Sequence, residues 1–247
     1  MFHMPPQERF KLIKPNWFSE LILNCSSSNL DKFYVKKKIL RAKSKISKNQ
    51  KQTQSTFSFK WKKKSSLQKT YSNFTTDWLN QKYGNIEDNL KLYRIDSKPL
   101  ILDAGCGAGL NTMCYFKNVL DKIRLVAVDI SAAVDIFKEN LEKEKINNVG
   151  LLQCDLNKLP FKNNTFDFIF SEGVLHHTNS TEKAIYKLIK KLKPNGIFMF
   201  YVYKTKAPIR EFTDDYIRQY LQKFSAKEAW ELLKPLTELG FQLGKIK

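Results

Sequence analysis

No pair of cysteines in this chain is spaced to grip a metal or to staple a small domain. The four, Cys25, Cys106, Cys114 and Cys154, never form a Cys-x-x-Cys pair. A zinc ribbon or a disulfide framework is therefore excluded as the organising element, no metal ligand set is expected, and reduced thiols in a cytoplasmic setting are the default. No apolar run approaches the ~20 residues that cross a bilayer, and MFHMPPQERFKLIKP lacks the charged-then-apolar layout of a secretory signal. Acid is missing altogether from 32–69, and arginine is scarce, with six among the 43 basic residues. The formal charge of +19 is uneven: residues 1–98 hold 21 Lys+Arg against 7 Asp+Glu, the rest 22 against 17. Such a basic block can track phosphates or an anionic membrane surface. Bidentate phosphate recognition favours arginine, however, so a solvated lysine-rich composition is preferred over a functional patch.

What is present falls into three parts. Residues 1–70 read as a basic, poorly defined extension: WFSELIL is a short helix or strand, and KKKILRAKSKISKNQKQTQS has the look of a loop or linker. Tyr71, Phe74, Trp78 and Leu79 at helical spacing predict a helix with an aromatic packing face, ended by Gly84. From residue 99 the text alternates: strands LILDA, RLVAVDI, VGLLQCD, FDFIFSEG and GIFMFYVY are separated by helical stretches. Ser131 is the expected N-cap of one helix and Ser180 or Thr181 of another. Strands apolar on both faces, alternating with helices, predict an α/β fold with a doubly wound, mostly parallel sheet over 71–203. The tail, 204–247, reads as helix with no convincing strand pair.

The chemistry concentrates where the first strand ends, in LILDAGCGAGLN. A dinucleotide fingerprint needs G-x-G-x-x-G, but Leu110 stands where its third glycine belongs, and no Gly-Lys-Ser/Thr follows to make a P-loop. Asp103 closes the first strand, Asp129 the second and Asp155 the third. All three fall on the carboxyl edge of the sheet, where open α/β sheets bind ligands, and an acid at the second strand reaches a ribose. A tight βα turn alone would explain the glycines; it does not explain three consecutive rim aspartates.

ILDAGCGAG resembles the first motif of class I S-adenosylmethionine-dependent methyltransferases, AVDIS their ribose-binding strand, and CDLNKLPF their adenine-side loop. FDFIFSEGVLHHTNSTEKAIYKLIKKLKPNGIFMF resembles the branch that includes the ubiquinone/menaquinone-biosynthesis methyltransferases. The resemblance covers 99–203 and implies a Rossmann-like fold with S-adenosyl-L-methionine as cofactor. It implies that Gly105 and Gly107 let backbone approach the methionine portion, with Asp103 near its amino group and Cys106 in the pocket wall. Asp129 would bind the ribose, with Ile130 flanking the adenine. Asp155 would accept from the adenine amine, and Leu156 would pack on the ring. Ser171, Glu172 and Gly173 would line the sulfonium and the acceptor.

Methyl transfer from a sulfonium is an in-line displacement, dominated by alignment, and needs a base only when the acceptor must lose a proton. His176 and His177 are the candidate bases, with packing or capping as their plainer role. An Asn/Asp-Pro-Pro-Tyr/Phe motif is absent after the fourth strand, where SEGV stands, and so is a Pro-Cys nucleophile. A small or lipid-like acceptor is therefore expected rather than nucleic acid. The competing readings are a binding module that holds the nucleoside without turnover, and an RNA-associated enzyme that uses the basic N-terminus. The family's sheet has seven strands and ends in an antiparallel hairpin after the fifth, yet only 44 residues follow Tyr203. The expectation is a sheet that stops early or is completed by a partner, which leaves a homo-oligomer open. The N-terminus is expected to be a reduced form of a small zinc-bearing extension, with Cys25 alone.

Overall fold

The computed structural model describes residues 10–25, 30–43, 48–64, 68–92, 98–204 and 207–244. The chain divides into two compact units, Met1–Val202 and Tyr203–Lys247.

In the first unit the elements run α1 (Asn16–Cys25), β1 (Phe33–Lys36), β2 (Ile39–Ala42), α2 (Lys48–Lys64), α3 (Gln68–Tyr83), α4 (Ile86–Leu92), β3 (Leu100–Ala104), α5 (Leu110–Phe116), β4 (Arg124–Asp129), α6 (Ala133–Lys143), β5 (Val149–Gln153), β6 (Phe166–Glu172), α7 (Thr181–Ile189) and β7 (Leu192–Tyr201). The strands form one sheet in the order β1-β2-β5-β4-β3-β6-β7. Only β1 and β2 pair antiparallel; every other neighbour is parallel. The second unit holds α8 (Pro208–Leu221) and α9 (Ala226–Gly244), helical as its sequence predicts. No described helix is long and apolar enough to cross a membrane.

Alternation along the strands sorts the core into two faces. Leu100, Leu102, Ala104, Val126, Val128 and Leu152 face one layer, which α1 and α7 close with Phe18, Ile22, Ala184 and Leu188. Ile101, Leu125, Ala127, Leu151, Phe168 and Phe170 face the other, closed by Leu79 of α3, Tyr115 and Phe116 of α5, and Phe137 and Leu141 of α6. The central strand β3 is buried at every position. The sheet is thus covered on both sides, as parallel sheets must be.

The sheet reaches seven strands by a route the sequence reading did not foresee. Its antiparallel pair comes from residues 33–42, at the edge beyond β5, while β7 forms the opposite edge. The hairpin turn is the two-residue loop Lys37–Lys38, both with left-handed backbone at φ 54° and 59°. That is the geometry a tight hairpin demands, usually supplied by Asn-Gly. With lysine at both positions, the segment reads as a charged loop. Arg41 fixes the hairpin: its buried guanidinium donates to Asp135 Oδ1 at 2.7 Å and to Gln153 Oε1. Likewise WFSELIL is a helix seated on the sheet; Phe18 stands 2.4 Å from where a Cβ on Gly150 would be. Replacing Lys37–Lys38 with Asn-Gly is expected to raise stability by about 1–2 kcal/mol through relief of left-handed strain, measured as an upward shift in the urea midpoint. A downward shift would mean that the lysine side chains hold the turn.

Two local expectations change. Ser131 does not cap α6, whose cap position is Ala132 without a side-chain bond; the Ser131 hydroxyl instead accepts from the Ala133 amide at 3.2 Å. On α3, Leu79 is buried but Phe74 is 70% exposed, so the aromatic face is not a core face there; the Tyr71 side chain lies outside the described residues. Ser180 does cap α7, and Gly84 ends α3 with φ 77°. The side chain of Cys25 also falls outside the described residues.

Candidate functional site

At the carboxyl ends of β3, β4 and β5 the backbone is stitched into one rim. Gly105 and Cys106 amides donate to the Val128 carbonyl at 2.7 and 3.0 Å, and the Cys154 amide donates to the Asp129 carbonyl at 3.0 Å. The Asp129 carboxylate accepts from the Gly107 amide at 2.9 Å and from the Ser131 amide at 2.7 Å. It therefore holds the glycine turn from the neighbouring strand. A carboxylate offers about four lone-pair positions; the Ser131 side chain bonds it as well, which leaves acceptor capacity for one further ligand donor.

The turn itself is shaped by close approach. Gly105, at φ 104°, has Val174 Cγ2 2.3 Å from where a Cβ would stand. Gly109, at φ 85°, has Phe137 Cδ2 at 2.1 Å by the same measure. The close helix packing that a dinucleotide fingerprint assigns to its third glycine is met here by Gly109 against α6.

Asp103 lies buried beside the turn, and the Thr112 hydroxyl donates to its Oδ2. Burial pushes its carboxyl up to about 7; the Thr112 bond opposes this and the nearby Asp129 charge adds to it. Burial also raises Asp129, while the Ser131 and Gly107 donors pull it back. The Cys106 thiol is raised by burial and by the two aspartates, and Cys154 is pushed up to about 12 by burial and Asp155. Both stay protonated at neutral pH, in keeping with wall residues rather than nucleophiles.

The other site residues predicted from sequence are each engaged locally. Asp155 caps the 3-10 turn Leu156–Lys158, accepting from the Asn157 amide at 2.9 Å. Leu156 is buried in the core layer shared with α1 and α7. The buried Ser171 hydroxyl donates to the Ala104 carbonyl at 2.7 Å, tying β6 to β3. Glu172 accepts from Lys82 Nζ at 3.0 and 3.2 Å and from the Tyr83 hydroxyl. The rings of His176 and His177 lie 4.1 Å apart, and His177 meets Phe57 edge-on at 5.1 Å. Burial lowers His176, which is neutral at pH 7.

Sequence reading missed helix α2, which lies across this rim. Gln54 Nε2 donates to the Ile130 carbonyl at 2.7 Å, and Gln153 Nε2 reaches the same oxygen at 3.2 Å. The Ala132 amide donates to the Ser58 hydroxyl at 3.3 Å. Trp61 covers Gly107, with its indole 2.9 Å from the position of an added Cβ. Residues 54, 57, 58 and 61 recur at i, i+3, i+4 and i+7, a helical period that was available in QSTFSFKW.

Residues 102–200 match a family model described as a methyltransferase domain. The human mitochondrial arginine-hydroxylase NDUFAF5 is 36% identical over 125 residues, covering 50% of this chain and 34% of that protein. Phosphoethanolamine N-methyltransferase 2 of Caenorhabditis elegans is 31% identical over 127 residues, covering 49% and 28%. A solved S-adenosylmethionine-dependent methyltransferase from Aquifex aeolicus is 28% identical, with a TM-score of 0.38 over 49% of this chain and 68% of that one. The chain spans about a third of the length of the curated relatives it matches. The matched segment, residues 102–200, holds the glycine turn and the rim strands, and over it this chain is similar to methyltransferase domains.

Proposed function

We propose that the protein transfers a methyl group from S-adenosylmethionine to a small or lipid-like acceptor, in the manner of the branch that includes the ubiquinone/menaquinone-biosynthesis enzymes, and that residues 71–203 carry the activity. The observation that supports this best is the rim itself. Asp129 is fixed by two backbone amides with acceptor capacity to spare, next to a turn opened by glycines and a buried Asp103. That donor and acceptor set fits a nucleoside with an amino-acid tail: Asp129 for a ribose hydroxyl, Asp103 for the α-ammonium group, and the turn backbone for the carboxylate. Asp155 and the Ile130 loop would serve the adenine side. When bound, the cofactor supplies an electrophilic methyl on a sulfonium. The protein's part is alignment and exclusion of water, for which α2 and Trp61 are placed across the turn. His176, held neutral, would take a proton from an acceptor that must lose one.

The small-acceptor reading rests on SEGV standing where nucleobase amine methylation needs its Pro-Pro motif. One relative is named for phosphoethanolamine and another for arginine hydroxylation, so the shared segment does not carry the acceptor's identity with it.

Calorimetry with S-adenosylmethionine and S-adenosylhomocysteine tests the reading, and its pH dependence tests the role of Asp103. An ammonium beside Asp103 favours the carboxylate, so binding below about pH 7 releases a proton. Affinity is expected to improve up to about tenfold per pH unit between pH 5 and 7, then level off. Without ligand, Asp103 acts on folding in the opposite sense. Its folded value lies above the ordinary 3.8, so its contribution to stability is full below that pH and is lost as pH rises through about 7. Absence of heat with either ligand would sink the cofactor assignment. A pH-independent affinity would remove Asp103 from the ammonium site.

A further inference from the structure

Where β6 and β7 end side by side, Glu172 pairs in register with Tyr201. These two residues and the last turn of α3 enclose an ammonium. Lys82 Nζ lies 3.2 Å from the Tyr201 ring centroid, 4.2 Å from that of Trp78 and 5.2 Å from that of Tyr83. The Glu172 carboxylate closes the fourth side at 3.0 Å. Three aromatic faces and one carboxylate around a single cation is the chemistry that recognises alkylammonium ligands. The Glu172 side chain is 6% exposed and that of Lys82 23%, so the charge pair is withdrawn from water while Trp78, 37% exposed, leaves an opening. Two residues past Glu172, Val174 packs on Gly105 of the glycine turn. The cage therefore adjoins the place where the methyl donor is proposed to lie.

We propose that Trp78, Tyr83, Glu172 and Tyr201 form a subsite for a cationic alkylammonium head group, and that Lys82 is its internal stand-in, displaced when a ligand arrives. Lysine suits that role because its ammonium rides on a flexible four-carbon stem with no fixed fork to lock it in place. The subsite anchors a charged head and is not where transfer occurs, since an ammonium has no lone pair to attack a sulfonium. Its role as an acceptor anchor rests on the methyl-transfer reading; its preference for ammonium ligands does not.

A structural lysine and a stand-in lysine predict opposite outcomes for one substitution. Tetramethylammonium chloride is titrated into the full chain without cofactor, following tryptophan fluorescence, with sodium chloride as the ionic-strength control. Lys82→Ala is expected to bind tetramethylammonium about tenfold more tightly than wild type, the gain that follows where a cage is open in only about a tenth of the molecules. Adding Glu172→Gln is expected to abolish that gain. Equal affinity in wild type and Lys82→Ala, or a response matched by sodium chloride, overturns the proposal. Should Lys82→Ala fail to fold, wild-type lysines labelled by reductive methylation with carbon-13 give a second readout. The Lys82 methyl signal should be shifted by ring currents and move to the solvent position as tetramethylammonium saturates; no movement overturns the proposal. Failure here leaves cofactor binding untouched, and failure of cofactor binding leaves this titration to be read on its own.

Discussion

Gly109→Ala is expected to cost the fold about 2–5 kcal/mol, a large share of the ~5–15 kcal/mol that holds a typical domain together. Two independent terms add. At φ 85° an alanine sits in the left-handed region, which costs an L-residue roughly 1–2 kcal/mol. Its Cβ would also stand 2.1 Å from Phe137 Cδ2, and forcing an extra methyl into a packed core costs roughly 1–3 kcal/mol more. Phe137 is fully buried and cannot swing into solvent, so the clash is relieved only by moving α6 or the turn. Urea unfolding of Gly109→Ala, Phe137→Leu and the double variant separates the terms. If the steric term is real, the double variant is less destabilised than the sum of the singles. Strict additivity, or a loss under about 0.5 kcal/mol for Gly109→Ala, would mean that the helix and the turn are not in tight contact.

Asp129→Ala is expected to weaken S-adenosylmethionine binding by about tenfold to a hundredfold. A hydrogen bond to a charged acceptor is worth roughly 1.5–3 kcal/mol, and the proposed ribose contact supplies one. The same side chain holds the Gly107 and Ser131 amides, so alanine also loosens the turn that meets the methionine end. Asp129→Asn divides these roles, because its carbonyl oxygen keeps one acceptor while the charge is lost. It should retain more of the folding stability than Asp129→Ala, since one of the two backbone amides keeps its acceptor, and still bind poorly. Binding constants from calorimetry and midpoints from urea unfolding, measured on both variants, check the split. An Asp129→Ala affinity within about threefold of wild type would remove the ribose assignment.

The rim was legible in the sequence because its elements are local and their signals strong. LILDA and RLVAVD are short apolar runs, each closed by an acid, and a parallel sheet buried on both faces leaves few other ways to fold them. The contributions that escaped share a different property: they couple residues far apart in the chain. Lys82 and Glu172 are brought together by the packing of α3 against the ends of β6 and β7, and nothing near either residue announces the pairing. Arg41 meets Asp135 and Gln153 for the same reason. The β1–β2 hairpin escaped on local grounds, since Lys37 and Lys38 occupy the turn positions where Asn-Gly would have marked it. Helix α2 makes its rim contacts through Gln54, Ser58 and Trp61, two of the three polar, so a search for apolar periodicity meets only part of the pattern.

The placement of the hairpin also bears on the order in which the protein can be made. Leu40 and Arg41 pair with Leu152 and Gln153, so β1 and β2 leave the ribosome well before the strand they dock against exists. At roughly 5–20 residues per second, that interval is on the order of ten seconds. Throughout it Ile39, Leu40 and Phe33 have no sheet to cover them, although all three end up buried. The lysines at 32, 36, 37 and 38 keep this waiting segment charged and resistant to pairing with other nascent chains. The lysine-rich hairpin is thus separated by more than a hundred residues of synthesis from the strand that completes its pairing.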